Sequence, residues 1–254
     1  MKHLRIALLQ DEPGSDIGPE YLSVIQKTRP DILSFPEYYF VRPELENVVA
    51  SISNRDVILS RIMNWSIKFD CVIVGGTIVD REGDQFRNRC YLVNRGRIIG
   101  HYDKIHLFKN EGGGLISPGK EYAVFDIGGL KIGILICADV LFSESFQGVG
   151  NLNPDLIIVP TTSPFKAGET ADEKFARDET IFARGAEVSD SLIFKVSACG
   201  SIIGHKLQGR SLIAGQGKVL WRILPEEEQL PALIIADLRG DKANPSIDIS
   251  VHRK

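Results

Sequence analysis

LKIGILICADVLF, residues 130–142, runs through isoleucine and leucine into a polar turn at Cys137, Ala138 and Asp139. An apolar run this short, rich in β-branched side chains, reads as a buried strand, whereas a buried helix needs about ten residues or more. The same pattern recurs on both sides of it. LRIALLQ (4–10) and DILSFPE (31–37) precede it, with CVIVGGTIV (71–79), RCYLVNRG (89–96) and AVFDIG (123–128); DLIIVPTT (155–162) follows. Each is bounded by Gly, Asn, Asp or Pro, the residues that turn a chain. Runs apolar throughout predict strands buried on both faces. SLIFKVSACG, SIIGHKL, GRSLIAG and GKVLWRIL, between 191 and 224, predict several more strands joined by short turns, and PSIDISVHRK (245–254) is a polar exit or a final edge element.

Between these runs lie helical patterns. Residues 18–29 and much of 44–68 are expected to be helical, with a break open at Asn54. Residues 169–187 form a better-marked helix. There Phe175, Phe182 and Ala186 recur near helical spacing, Asp172, Glu173, Lys174 and Arg177 take the wetter sides, and Gly185 is a local weak point. Strands alternating with helices indicate an α/β fold. No linker divides the chain, so residues 1–254 are expected to form a single domain, and 254 residues with 43% hydrophobic content suffice for one large core.

A net charge of −3 offers no excess positive field to hold a phosphate backbone or an anionic bilayer. Nucleic acid and membrane are therefore not expected partners. No stretch approaches the roughly 18–20 apolar residues of a membrane span, and the apolar run in MKHLRIALLQDEPG is too short for a secretory signal, so a cytoplasmic location is expected. The four cysteines are spaced as neither a zinc knuckle nor a redox dithiol, and Cys71, Cys90 and Cys199 read as buried small hydrophobes. GGTIVDREGD lacks the GxGxxG spacing of a dinucleotide site, and there is no GxxxxGK[ST] phosphate loop. His101 and His106 flank Lys104 without forming a metal signature, so neither metal nor cofactor is expected.

Cys137 by itself would be a core thiol. Its place on a strand-to-helix elbow, however, brings a thiol close to backbone N–H donors. Glu37, in LSFPEYYF, follows a strand and can project from the carboxyl end of a sheet, where it would take the thiol proton; a turn or helix-end carboxylate is the plainer alternative. Lys104, in HYDKIHLF, would lower the thiol pKa and stabilise an oxyanion, against the alternative of a surface lysine at a strand end. The aromatics Tyr38, Tyr39, Phe40, Phe108 and Phe142 are candidates either for a pocket wall or for core packing.

Taken together, FPE at 35–37, K-x-H-L-F at 104–108 and I-C-x-D at 136–139 resemble the nitrilase superfamily of carbon–nitrogen hydrolases. The resemblance covers most of the chain. LISPG (115–119), FARGAEVSDSLIFKVSACG with Arg184 and Glu187, and the glycine-rich GRSLIAGQGKVL extend it. It implies a catalytic triad of Glu37, Lys104 and Cys137, a four-layer α-β-β-α sandwich, and a homodimer or larger homo-oligomer. A second glutamate is usual between the lysine and the cysteine; Glu111 in KNEGGGLISPG is the nearest match, and Glu121 the alternative. The glycines at 112–114 leave Glu111 free to face water or the pocket. Arg184 and Glu187 then either brace the helix or a subunit contact, or stand as solvated charges.

One departure is clear. Where the family often has an aromatic residue after the cysteine and an arginine two places after the aspartate, this chain reads Cys137-Ala138-Asp139-Val140-Leu141. The backbone N–H of Ala138 remains available to an oxyanion whatever its side chain, and Asp139 is placed to cap the elbow. The implied chemistry is acyl transfer through a thioester on Cys137, most simply from a small amide. N-carbamoyl hydrolase, nitrilase and a noncatalytic small-molecule binder are the alternatives.

Overall fold

Leu4, Ile6 and Leu8 pack with Ile132, Ile134, Phe194 and Val196, whereas Ala7 and Leu9 between them pack with Tyr21, Ile25, Ile58 and Ile62. Successive side chains of a strand point to opposite faces, so one heptapeptide touches two different layers. The computed structural model describes residues 3–240 and 245–253. Met1, Lys2 and Lys254, which belong to segments quoted above, lie outside the described residues.

The first half of the chain supplies strands β1 (Leu4–Gln10), β2 (Ile32–Ser34), β3 (Val72–Val74), β4 (Ile78–Glu82), β5 (Gln85–Asn94) and β6 (Arg97–Asp103). Then come β7 (Val124–Ile127), β8 (Leu130–Ile134), β9 (Leu156–Thr161) and β10 (Leu192–Ser197). A small hairpin of β11 (Ser201–Ile202) and β12 (His205–Lys206) stands outside both large sheets. β13 (Leu212–Gly215), β14 (Lys218–Arg222), β15 (Ala232–Arg239) and β16 (Ser246–His252) complete the set. The first sheet runs β16-β15-β1-β2-β3-β5-β4, with β6 also on β5; the second runs β14-β13-β10-β9-β8-β7. Each has a parallel centre, β1-β2-β3 in one and β8-β9-β10 in the other, which explains runs that are apolar throughout rather than alternating.

Helices α1 (Pro19–Thr28) and α2 (Arg55–Lys68) cover the outer face of the first sheet through Tyr21, Ile25, Ile58 and Ile62. α1 begins on Pro19, whose missing N–H costs nothing at a helix start. The second sheet is covered by α3 (Ser143–Gly150), α4 (Ala171–Asp178) and α5 (Arg184–Ser189). Thr170 and Glu173 bond reciprocally across the first turn of α4 and set its start. Gly185 lets α5 lie directly on Phe146 of α3, because a Cβ there would stand 2.5 Å from the ring. The order of layers is helix, sheet, sheet, helix, as the resemblance implies.

Two expected boundaries differ, and a third, left open, is decided. The break at Asn54 is present: residues 48–54 form a 3-10 helix and α2 starts at Arg55. The expected 169–187 helix is interrupted by a π-turn over Glu179–Ala183. CVIVGGTIV divides into β3 and β4 at Gly75-Gly76, since Gly76 has φ 61° and a Cβ there would meet the Pro36 carbonyl oxygen at 2.2 Å. PSIDISVHRK takes the edge-strand alternative, as β16. Cys71, Cys90 and Cys199 are buried. Among the described residues no helix is long and apolar enough to cross a membrane.

Candidate active site

Glu37, Cys137 and Thr162 follow β2, β8 and β9, and Lys104 follows β6. The parallel strands thus deliver three of these side chains to their carboxyl ends, where open α/β sheets form crevices. Cys137 opens a 3-10 turn over residues 137–141 with φ 43°, and Tyr38 beside Glu37 has φ 54°. Both are costly values for residues with a Cβ, held here by their surroundings. The elbow is braced by buried Asp139. Its carboxylate accepts from the Ile136 N–H at 2.9 Å, the His106 N–H at 2.8 Å and the Tyr102 hydroxyl at 2.8 Å. Asp139 therefore caps the turn and ties it to the lysine segment.

Lys104 Nζ donates to Glu37 Oε1 and to Glu111 Oε2, each at 2.8 Å. Asn88 Nδ2 also bridges the two carboxylates, at 2.9 Å to Glu37 Oε1 and 2.7 Å to Glu111 Oε1. Tyr38 OH donates to Glu111 Oε1 at 2.6 Å, and the Phe108 N–H to Glu111 Oε2 at 2.9 Å. Thr162 joins Glu37 and Cys137. Its N–H donates to Glu37 Oε2 at 3.0 Å, its hydroxyl to the Glu37 carbonyl at 2.6 Å, and its carbonyl faces Cys137 Sγ at 3.5 Å. Cys137 and the Glu37 side chain also interact electrostatically. Lys104, with buried Glu37 and Asn88 around it, is no surface lysine.

Burial raises Glu37 above its ordinary value; Lys104 opposes this and Glu111 adds to it. Burial also pushes Glu111 upward, but Lys104, Tyr38 and the Phe108 N–H together hold it below its ordinary value. Lys104 would lose its proton more readily through burial, yet Glu37, Cys137 and Glu111 outweigh that and raise it. The thiol differs from expectation. Burial and the Glu37 charge push Cys137 well above the ordinary thiol value, and Lys104 offsets only part of this. The lysine stands among two carboxylates, so its field at sulfur is largely neutralised. Cys137 is thus a thiol with the Glu37 carboxyl group in its surroundings.

Residues 8–178 match the model of the carbon-nitrogen hydrolase family. The chain belongs to that family. A nitrilase from Pyrococcus abyssi is 29% identical over 186 residues, covering 72% of this chain and 66% of that protein. A glutamine-dependent NAD(+) synthetase from Acinetobacter baylyi is 24% identical over 181 residues, 66% of this chain and 33% of that one. The matched part thus spans from a third to just under two-thirds of these relatives. An amidase from Nesterenkonia sp. shares the fold, with TM-score 0.76 and 22% identity over 95% of this chain and 92% of its own.

Within this carbon-nitrogen hydrolase fold, Glu111 is turned inward onto Lys104, while Glu121 is exposed. Gly112 and Gly113, with φ 61° and 68°, fold the 111–114 turn that aims it. Glu37, Tyr38, Lys104, Phe108, Glu111 and Cys137 line one cavity of about 490 Å³. Tyr39 and Phe40 instead pack with Phe35 and Trp65, and Phe142 stacks on His106 at 4.0 Å. Arg184 and Glu187 are exposed helix charges. Asn88 and Thr162 were not anticipated. Asn88 carried a usable signal, a polar side chain immediately before the expected strand RCYLVNRG. Among the described residues no cluster of His, Cys, Asp or Glu is placed to hold a metal ion.

Proposed function

We propose that residues 1–254 act as one hydrolase domain that cleaves the carbon–nitrogen bond of a small amide through a thioester on Cys137. The single observation that carries this reading is a buried carboxylate, Glu37, bonded at once to Lys104, Asn88 and the Thr162 N–H, with the Thr162 carbonyl facing Cys137 Sγ. Cys137 Sγ attacks the amide carbon as its proton passes to Glu37, whose raised value suits it to receive one. The oxyanion forms between Lys104 Nζ and the Ala138 N–H. That N–H lies ahead of the first bond of the 137–141 turn, which runs from the Asp139 N–H to the Ile136 carbonyl.

Glu37 returns the proton to the departing nitrogen, and ammonia or an amine leaves. Water then attacks the thioester while giving a proton to Glu37, and the thiol is regenerated as the acid departs. Glu111 holds Lys104 against the base throughout. The reading includes a homodimer or larger homo-oligomer, which light scattering on the eluted protein tests. The chemistry is tested by intact-protein mass spectrometry after exposure to amide, N-carbamoyl and nitrile panels. Wild type is expected to gain an acyl mass that Cys137→Ala lacks, and Glu37→Gln is expected to bind amide without turnover. The same adduct on Cys137→Ala would remove Cys137 as nucleophile.

A further inference from the structure

Cys137 also lines a second cavity, of about 360 Å³, which Glu37 and Lys104 do not line. Ile181 and Phe182 of the π-turn give it an apolar wall, and Lys195 stands in its lining. Lys195 is the one charged residue in the buried strand β10 and lies beyond the family-matched segment 8–178. It is 5% exposed, and among the described residues nothing accepts a hydrogen bond from its Nζ, which lies 5.2 Å from the centre of the Phe182 ring. The other cations of the lining differ. Arg210 is ion-paired with Asp178 and Arg177 with Glu169, while Lys109 and Lys166 are exposed to water. Lys195 is the one cation there that neither a carboxylate nor solvent answers.

The catalytic cavity has the opposite imbalance. Glu37 and Glu111 share the single ammonium of Lys104, so that group carries one net negative charge whenever Glu37 is ionised. As Cys137 loses its proton, a further negative charge develops at sulfur. With water removed such charges act strongly on each other, and an unanswered cation in a cavity that the thiol also lines offsets the excess. Burial pulls Lys195 down to about 8; Arg210 and Arg177 act in the same direction, and Asp178 and Cys137 act against it. Lys195 therefore carries its proton at neutral pH and loses it as pH rises through about 8.

We infer that Lys195 is the counter-charge of the nucleophile: its ammonium, unpaired in the cavity wall, favours the Cys137 thiolate and the oxyanion that follows it, which Lys104 alone does not offset. Its part in acyl transfer rests on the hydrolase reading above; its effect on the thiol does not.

The test is alkylation of Cys137 in the full chain by iodoacetamide, a neutral reagent, followed by mass spectrometry with peptide mapping from about pH 6.5 to about pH 10. Across a cavity roughly 10 Å wide, one unit charge is worth about tenfold in an ionisation constant. A less acidic thiolate is the better nucleophile, so Lys195→Met is expected to slow alkylation at neutral pH by about threefold to tenfold. Lys195→Arg, which keeps the charge, is expected to stay within about twofold of wild type. The wild-type rate should rise with pH, flatten near pH 8 as Lys195 loses its charge, and rise again, whereas Lys195→Met should rise without that step. Unchanged alkylation in Lys195→Met overturns the proposal. So does a wild-type profile with no step near pH 8, a result that requires no variant to fold. Slowing confined to the anionic reagent iodoacetate would make Lys195 an anion-binding residue and overturns it as well. Ammonia release from amides by wild type separates the two readings. Slowed alkylation in Lys195→Met without any release upholds the counter-charge and counts against the hydrolase reading, whereas release with unchanged alkylation does the reverse.

Discussion

Replacing Glu111 by glutamine removes one charge and changes almost no volume, which makes it a sharp probe of the buried network. The Glu111 carboxylate accepts four hydrogen bonds, from Tyr38 OH and Asn88 Nδ2 on one oxygen and from Lys104 Nζ and the Phe108 N–H on the other. A glutamine amide must place its NH₂ against one of these pairs of donors. In either orientation two bonds are lost, and Lys104 keeps only Glu37 as a charged partner. Breaking a buried, hydrogen-bonded charge pair from one side costs about 3–5 kcal/mol. The expected loss for E111Q is therefore about 3 kcal/mol or more, read from the urea midpoint with the slope unchanged.

The pH dependence gives a second reading of the same variant. Glu111 is held below its ordinary 4.5, so its contribution to stability is fully present above that value and is lost as pH falls through the lowered one. The gap between wild type and E111Q should be widest near neutrality and should close below about pH 4.5. A gap under about 1 kcal/mol at pH 7, or one that grows in acid, would refute the claim that Glu111 works as a buried anion.

Other outcomes follow from the same geometry. Asp139→Asn puts an amide NH₂ against backbone or hydroxyl donors at the elbow; it should cost about 1–3 kcal/mol in urea unfolding and slow thioester formation in rapid-quench mass spectrometry. Wild-type stability with wild-type acylation would show that the elbow needs no such brace. Gly185→Ala drives a methyl into Phe146, 2.5 Å away, and should cost about 1–3 kcal/mol, or about 2–4 °C in Tm for each kcal/mol lost. An unchanged Tm would mean that α3 and α5 separate easily. Acylation by wild type should rise with pH as Glu37 ionises, with a midpoint above the ordinary 4.5; a profile flat from pH 4 upward would contradict a buried base.

Local chemistry made much of this legible. The short isoleucine-rich runs at 4–10, 130–136 and 155–162 are strands because residues apolar on both faces suit a central parallel strand and little else. Glu37, Lys104 and Cys137 each had a plainer reading alone and stood out through three ordered motifs that resemble the nitrilase superfamily. Boundaries were less legible. Gly76 breaks a run that looks continuous, since the reason for the break is the Pro36 carbonyl, 40 residues away in the chain. The π-turn that moves Ile181 and Phe182 into a cavity wall has no counterpart in helical periodicity, which tracks burial on one face and not the spacing of backbone bonds.

The sequence by itself determined the α/β class and the paired apolar faces of β1, because burial and turn chemistry act over a few neighbours, while resemblance to the nitrilase superfamily pointed to Glu37, Lys104 and Cys137. Only the tertiary structure decided that Asn88 bridges two carboxylates, that Thr162 fastens Glu37, and that Glu111 rather than Glu121 reaches Lys104. It also decided the state of the thiol. Burial and the Glu37 charge raise Cys137, while the lysine expected to lower it is spent on two carboxylates. Charges interact through space and through the removal of water, so their balance depends on which distant segments are packed together, and residue order alone does not carry that sum.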